Sequence, residues 1–471
     1  MGVTFDTFSN VVDGKLQSTA TTRNGVNPAT LEDLPPVPVS SQNDLDVAVE
    51  AAAKATLKWQ EVPIDKRREA VNRFADALEA QASEFSAYLT KEQGKPTAGA
   101  DYELVQAVGT LRGIAQLPFG EEVVEDSEQA RVITRYVPIG VAAGIVPWNF
   151  MFKLGPAVIT GNSIIIKPSP FTPYCGLKIV ELAQEFFPPG VVQALSGDDN
   201  LGPMLTVHPG IQKISFTGST ATGRKVMQSC SKTLKRVTLE LGGNDAAIVC
   251  SSVDIPSIAP AITGVALYNS GQVCIAIKRI YVHSSIYREF LDAMVAYAKT
   301  LVVGDGSEKD TTHGPVQNKM QYERVKGLIA SIEAEKLNVA FGDLNVTASQ
   351  KKGYFINPVI VDNPSDESTI VTEEPFGPVF PVMQWTEEDE VIRRANNTDM
   401  GLGASVWTND QEQADRLSRK LQAGTVWVNT HMELRPDAAF GGHKSSGVGT
   451  ELGINGLKSY CNIQTIHQKK A

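Results

Sequence analysis

The chain has 471 residues, 42% hydrophobic and 20% charged, with a formal net charge of −10. At roughly 150 residues per domain, that length predicts two or three domains, and the ordinary mix excludes a disordered, collagen-like or coiled-coil chain. The acidic balance argues against nucleic acid or an anionic membrane as partner and favours solubility. The cysteines are Cys175, Cys230, Cys250, Cys274 and Cys461, an odd set without a CxxC pair. Neither a zinc knuckle nor a disulfide framework is expected, and a reducing compartment is. The histidines are scattered without an HExxH, so no metal centre is expected. The start, MGVTFDTFSN, lacks the basic-then-apolar pattern of a secretory signal. Asp6 spoils a myristoylation site, and the HQKKA end is neither a prenylation box nor a peroxisomal signal. No apolar run approaches the ~18 residues of a membrane span. A soluble, cytoplasmic protein is expected.

In chain order, the early region reads as helical. Ser41 opens a capping-box-like S-x-x-D with Asp44, and an Ala-rich helix follows to about Trp59. Val71, Phe74, Ala75, Leu78, Ala82, Phe85 and Leu89 recur at spacings of three and four, predicting one apolar stripe on a long helix that ends at Gly94–Pro96. The stretch 121–137 is β-branched and charged and reads as a two-stranded excursion suited to pairing with a partner chain. Short apolar runs then alternate with helical segments: Val141–Val146, Ile164–Ile166, Val191–Leu195, Ile211–Phe216, Val237–Leu241 and Ala246–Val249. Runs apolar on both faces and joined by helices predict buried parallel strands. The pattern breaks at Leu241-Gly242-Gly243. It resumes with Ile277–Val282, a helix near 286–300, Tyr354–Val361 and Thr425–Asn429. Two α/β units are predicted.

Several segments carry possible chemistry. Phe216–Gly223 ends a strand and opens a helix, and its glycines and free N–H groups suit a phosphate. It spaces glycines like a P-loop, but Arg224 stands where the lysine belongs, and GxGxxG is absent. A plain strand-to-helix turn fits equally well. Cys274 lies among small residues in Asn269–Ile275, which leaves a thiol approachable, although a lone cysteine is ordinarily a buried small hydrophobe. Glu240 is a charge inside an apolar strand, so it has either a partner or a role. Asn149 in Pro147-Trp148-Asn149 follows a buried strand, where an amide can donate into a cleft. Lys167 ends another strand, and Glu374 sits in Glu373–Pro378.

Taken in order, PWN at 147–149, Lys-Pro-Ser at 167–169, FTGST at 216–220, LELGG at 239–243, GQVC at 271–274, EEPFGPV at 373–379 and FGGHKSSG at 440–447 resemble the aldehyde dehydrogenase superfamily over nearly the whole chain. The spacing from Glu240 to Cys274 fits as well. The resemblance implies an α/β fold of two Rossmann-like α/β domains plus a small β oligomerisation arm. By that pattern residues 1–117 and 138–242 form the dinucleotide-binding domain, 243–447 the catalytic domain, and 118–137 with 448–471 the arm. It implies oxidation of an aldehyde to a carboxylic acid with NAD or NADP. Cys274 is then the nucleophile that forms a thiohemiacetal and a thioester. Asn149 is the oxyanion donor together with the Cys274 N–H, and Glu240 is the general base that activates water. Gly218, Ser219 and Gly223 form the turn beneath the pyrophosphate, with Trp148 beside it. Lys167 holds the adenosine ribose, and Glu374 the nicotinamide ribose, with Phe376 close by. A homodimer or homotetramer is expected, built through the arm.

Two departures from the family pattern stand out. Pro170 occupies the position where many members carry a glutamate that clamps the ribose hydroxyls, so discrimination against NADP is loosened. The stretch between Asn149 and Lys153-Leu154-Gly155-Pro156 is short. Each residue lost from a helix turns the remainder of that helix by about 100°, so either the helix face is reoriented or the lost turn is unwound near Asn149. A disrupted site would leave a catalytically impaired nucleotide-binding oligomer or a cysteine-dependent esterase. Phe150, Met151, Met432, Leu434 and Phe440 predict a mainly apolar pocket for medium aliphatic or aromatic aldehydes, with Glu433 and Arg435 near its mouth.

Overall fold

The computed structural model describes residues 2–147, 151–345 and 352–470, with side chains from Lys153 onward in the second stretch. The chain does not begin with helices. Asn10–Val12 and Lys15–Gln17 form a hairpin, and Thr22–Val26 pairs with Asp33–Pro38. The first hairpin turns on Asp13 and Gly14, both at positive φ, the two-residue turn that matches the twist of the strands. The helix Gln42–Trp59 comes next, with the capping box of Ser41 and Asp44 formed in both directions. Its buried face, Leu45, Ala48, Val49, Ala52, Thr56 and Trp59, is the three-and-four stripe.

The expected single helix over 71–89 is two helices, Ile64–Ala80 and Ala82–Gln93. The break is Gln81, at φ −112° and ψ 18°. Its side-chain amide accepts from the Val3 N–H at 3.0 Å and donates to the Val3 carbonyl at 3.1 Å, tying the N-terminal segment to the break. A stripe continues across such a break because both helices face the same core. Gly94 ends the second helix at φ +92°, where a side chain would strike Pro315 and Pro28. A further helix, Thr97–Gln116, leads into the arm.

Eight strands form the first sheet, in the order Lys15–Gln17, Asn10–Val12, Val192–Ala194, Ser163–Lys167, Val141–Ile145, Lys213–Thr217, Arg236–Glu240, Gly447–Val448. The five from Val192–Ala194 to Arg236–Glu240 are parallel. Strand order reverses at Val141–Ile145: the chain runs outward to one side through Ser163–Lys167, then returns to the other side at Lys213–Thr217. Such a switch point opens a crevice at the carboxyl ends of the strands.

Between Glu240 and Asp245 the chain leaves this sheet for a second one. Its order is Asn338–Phe341, Val359–Asp362, Val379–Trp385, Ile277–His283, Asp245–Val249, Gly403–Trp407, Thr425–Val428, parallel except for its first pair. Val379–Trp385 and Gly403–Trp407 are strands that the sequence pattern passes over. Pro381 and the Gly403-Ala404-Ser405 start have low strand propensity, yet both strands are central, where burial outweighs propensity. The Tyr354–Val361 run becomes a strand only from Val359, after Pro358.

The stretch 121–137 and the chain end form one antiparallel sheet. Cys461–Lys469 pairs with Ala130–Pro138 along its full length, and Ala130–Pro138 pairs with Glu122–Asp126. Val123, Val124 and Ile463 are exposed on it. Gly447–Val448 returns to the first sheet antiparallel to Arg236–Glu240, opposite Leu239 and Glu240. The carboxyl edge of the first sheet therefore lies a four-residue link, Leu241–Asn244, from the amino edge of the second.

Candidate active site

Glu240 is the last residue of its strand, at that junction. Its side chain is 5% exposed, and neither carboxylate oxygen has a hydrogen-bond partner among the described residues. Burial pushes its carboxyl well above the usual carboxylate range. The charge of Glu451 adds to this, and Lys153 opposes it. Lys153, from the helix Met151–Ile159, is itself buried and pairs with Glu451 at 2.5 Å. Ser215 donates to the same Glu451 oxygen at 2.7 Å. Glu451 is held by a backbone bridge to Phe440. These buried charges beside Glu240 belong to segments far apart in sequence. No local pattern marks Glu451.

Cys274 follows the helix Ile255–Leu267 and a tight turn in which Asn269, Ser270 and Gly271 are all left-handed, at φ 52°, 55° and 72°. Non-glycine residues adopt that region only when their surroundings over-determine it. Here Ser270 Oγ donates to the Gly314 carbonyl at 2.8 Å. Gln272 donates to the Asn269 carbonyl and accepts from the Gln317 N–H. At Gly271 a side chain would overlap the Gly377 carbonyl. The turn delivers Cys274, half-buried, at the start of the strand Ile277–His283. Burial pushes its thiol up to about 12. Lys278 pulls it down, and the carboxylates of Asp245, Glu374 and Glu240 push it further up. Among the described residues none accepts from the Cys274 N–H.

Glu374 is buried next to the same loop. It accepts from the Gly243 N–H at 3.1 Å and stands 3.8 Å from the Lys278 ammonium. Burial raises its carboxyl, with Lys278 opposing. A side chain on Gly242 would collide with it, so the double glycine is what admits the carboxylate. Phe376, two residues on, has φ +45°, and its carbonyl accepts from Gln321.

On the first sheet, Lys167 is 5% exposed, with its ammonium donating to the Pro168 carbonyl at 3.1 Å. Burial pushes it down to about 8, with Asp199 and Asp198 opposing and Arg23 adding to the effect. Gly218 donates to the Glu240 carbonyl at 3.0 Å, joining the glycine turn to the strand that carries Glu240. Ser219 caps the helix Thr220–Ser231. Gly223 lies where a side chain would meet Leu241, so it serves close packing of helix on strand.

Glu240, Cys274 and Glu374 thus meet at the junction of the sheets, while Lys167, Gly218 and Ser219 line the carboxyl edge of the first sheet. Trp148, Asn149 and Phe150 lie outside the described residues, as do the side chains of Met151 and Phe152. Met432 and Leu434 pack against the same core as Val273 and Cys274, and Phe440 is buried. Glu433 and Arg435 are exposed, and Arg435 pairs with Asp437. Three polar residues flanking the nucleophile loop, His431, Asp245 and Lys278, were not singled out from the sequence. His431 bonds the Ile275 carbonyl at 2.9 Å and lies 3.7 Å from Asp245. The signal for Asp245, as for Lys278, is a charge within an apolar strand. Among the described residues no cluster of His, Cys, Asp or Glu suits a metal ion.

Residues 16–466 match the profile of the aldehyde dehydrogenase family. Aldehyde dehydrogenase LUC3 of a Fusarium species is 40% identical over 466 residues, covering 99% of this chain and 100% of that protein. Human retinaldehyde dehydrogenase 3 is 37% identical over 93% of this chain and 88% of that protein. Among solved structures, the NAD+ complex of a Bacillus cereus aldehyde dehydrogenase superposes with a TM-score of 0.94 at 34% identity, covering 98% of this chain and 96% of the other. An Escherichia coli structure described as an NADP dependent enzyme gives 0.94 at 29% identity, covering 98% of each chain. The chain belongs to the aldehyde dehydrogenase family.

Proposed function

We propose that the chain oxidises an aldehyde to a carboxylic acid with NAD or NADP, with Cys274 as nucleophile and Glu240 as general base. The observation that carries this reading is the junction itself. Glu240, a buried carboxylate without a hydrogen-bond partner among the described residues, lies near enough to act on the half-buried Cys274 thiol, which follows a strained turn. A buried carboxylate without a hydrogen-bond partner is costly, and groups so perturbed cluster at functional sites.

The residues present fit a dinucleotide. Lys167 donates one hydrogen bond, to its neighbour's carbonyl, leaving N–H groups for ribose hydroxyls. Glu374 offers a buried carboxylate beside Cys274, and Gly218 and Ser219 stand at the switch-point crevice. Trp148, Gly223 and Phe376 complete the set that the family pattern assigns to the cofactor. Pro170 places no carboxylate against a 2′-phosphate, which supports use of either NAD or NADP. A dinucleotide bound there would supply the hydride acceptor for oxidation of the Cys274 adduct to an acyl thioester.

The Cys274 thiolate attacks the aldehyde carbon, and the new oxyanion is received by the Cys274 N–H and Asn149. Glu240 takes a proton from water, whose oxygen then attacks the thioester carbon. The carbon–sulfur bond breaks, restoring the thiolate and releasing the carboxylic acid, which gives its remaining proton to solvent. Lys153 and Glu451 form a buried ion pair whose two charges act on Glu240 in opposite directions. Met432, Leu434 and Phe440 favour a medium aliphatic or aromatic aldehyde. We also assign 1–117 and 138–242 to cofactor binding, 243–447 to catalysis, and 118–137 with 448–471 to assembly of a cytoplasmic homodimer or homotetramer. No helix among the described residues is long and apolar enough to cross a membrane.

The test is NAD(P)H formation with an aldehyde panel, for wild type and Cys274→Ala. Cys274→Ala is expected to lose turnover by at least about a thousandfold while keeping its fold and cofactor affinity. A variant with near wild-type rate would overturn the covalent scheme.

A further inference from the structure

The nucleophile loop is organised by a lysine that the covalent scheme leaves unused. Lys278 is the second residue of the strand Ile277–His283 and is 3% exposed. Its ammonium donates to the carbonyls of Val273 at 2.9 Å, Cys274 at 2.6 Å and Ala276 at 3.2 Å. An ammonium has three N–H donors, and here three carbonyls of one loop answer them. On its other side stands Glu374, at 3.8 Å. Glu374 accepts from the Gly243 N–H, and a side chain on Gly243 would strike the Cys274 carbonyl. Cys274, Lys278, Glu374 and Gly243 therefore close a ring of contacts between nucleophile loop, cofactor-side carboxylate and inter-sheet link.

A neutral donor would fasten these carbonyls without the penalty of burying a charge. The charge needs a further reason, and the surroundings of Cys274 supply one. Three carboxylates act on the thiol: Asp245 from the strand Asp245–Val249, Glu240 from Arg236–Glu240, and Glu374 from the loop before Val379–Trp385. Each opposes a thiolate, and Lys278 counters them. Arg324, from the helix Lys319–Ala334, bonds the Glu374 carbonyl and acts on Glu374. His431 reaches the loop at the Ile275 carbonyl.

We propose that Lys278 is a positioning residue for Cys274: it clamps the nucleophile loop through three carbonyls and supplies the positive charge that lets the thiol ionise among three carboxylates. The proposal rests on Cys274 as nucleophile and on Glu374 as the cofactor-side carboxylate. Because the same ammonium faces Glu374, it also links the cofactor side of the site to the thiol.

The test is the pH dependence of iodoacetamide alkylation at Cys274 in the intact enzyme, followed by peptide mass spectrometry between about pH 6 and 10, with the pH at which a fixed alkylation rate is reached taken as the midpoint. Lys278→Gln keeps N–H donors and loses the charge. Its alkylation midpoint is expected to rise by about one pH unit, slowing alkylation near neutrality about tenfold. Turnover should recover at high pH, and KM for the dinucleotide should rise. Lys278→Arg keeps the charge and should keep the wild-type midpoint. Glu374→Gln removes the opposing carboxylate and should move the midpoint down. If Lys278→Gln lowers turnover equally at every pH with an unmoved midpoint, Lys278 is only structural and the proposal fails. If Lys278→Gln does not fold, Lys278→Arg decides, because a midpoint raised by about one unit with the charge kept overturns the proposal. Cys274→Ala separates the two readings. An active Cys274→Ala sinks the nucleophile assignment, whereas an inactive one with unmoved midpoints in the other variants sinks only the role of Lys278.

Discussion

Glu240 shows how one buried side chain sets both rate and stability. Its carboxyl is raised because burial penalises the charged form and Glu451 adds a second negative charge nearby. As a base it works only when ionised, so steady turnover should climb with pH through a value above the ordinary carboxylate range. The stability sign is opposite. The unfolded chain loses this proton near the usual glutamate value of about 4.3, while the folded chain holds it to higher pH. Stability therefore falls as pH rises through that window. Glu240→Gln should show a burst of NAD(P)H close to one per active site, then a slow steady rate. At neutral pH it should melt at or above the wild-type temperature, with the difference vanishing below about pH 4. Rapid mixing and thermal melts across pH check both. Wild-type steady turnover would remove Glu240 from the base role.

At the scale of elements, caps and breaks decide where helices begin. Ser41 and Asp44 form a capping box that the sequence spells out. The helix Tyr174–Ala183 is started differently, by a side chain remote in sequence. Glu92 is buried, and its carboxylate accepts from the Tyr174 and Cys175 N–H groups, both at 2.9 Å. No local residue announces this, since the helix is preceded by Pro173 without a side-chain cap. Burial raises the Glu92 carboxyl to about 7, against those same N–H groups and Lys95. The folded protein thus holds a proton that the unfolded chain releases near pH ~4.3, and stability drops between those values. Glu92→Gln should be less stable by about 1 kcal/mol at acid pH, through a weakened cap. That deficit should shrink and then reverse by neutral pH, because the wild type alone loses stability as Glu92 ionises. Urea unfolding at several pH values measures it, and a constant deficit would contradict the assignment.

At the scale of the molecule, the three-stranded arm is the part least able to stand alone. Its strands are short of apolar burial on both faces, with Val123 at 58%, Val124 at 66% and Ile463 at 67% exposure. Exposed edges of this kind favour pairing with another copy. Light scattering at micromolar concentration should give a dimer or tetramer of the 50.7 kDa chain. Ile463→Asp should shift it toward monomer. A wild-type monomer with full activity would refute assembly through the arm.

The apolar runs determined that two parallel sheets would form and where they part, because strands covered on both faces must be apolar throughout. The ordered motifs determined the family, and they named Cys274, Glu240, Lys167 and Glu374 before any geometry. Sequence could not separate the helices Ile64–Ala80 and Ala82–Gln93, because one face serves both and the break at Gln81 is held by Val3, far away in the chain. Nor could it mark Val379–Trp385 or Gly403–Trp407, whose Pro and Gly are tolerated only because the strands are central. The pairing of Lys153 with Glu451, and of Lys278 with three carbonyls and Glu374, was decided by tertiary structure alone. Local sequence governs periodicity and caps, which act over a few residues. The partners of a buried charge are chosen by which segments the two sheets bring to their shared junction.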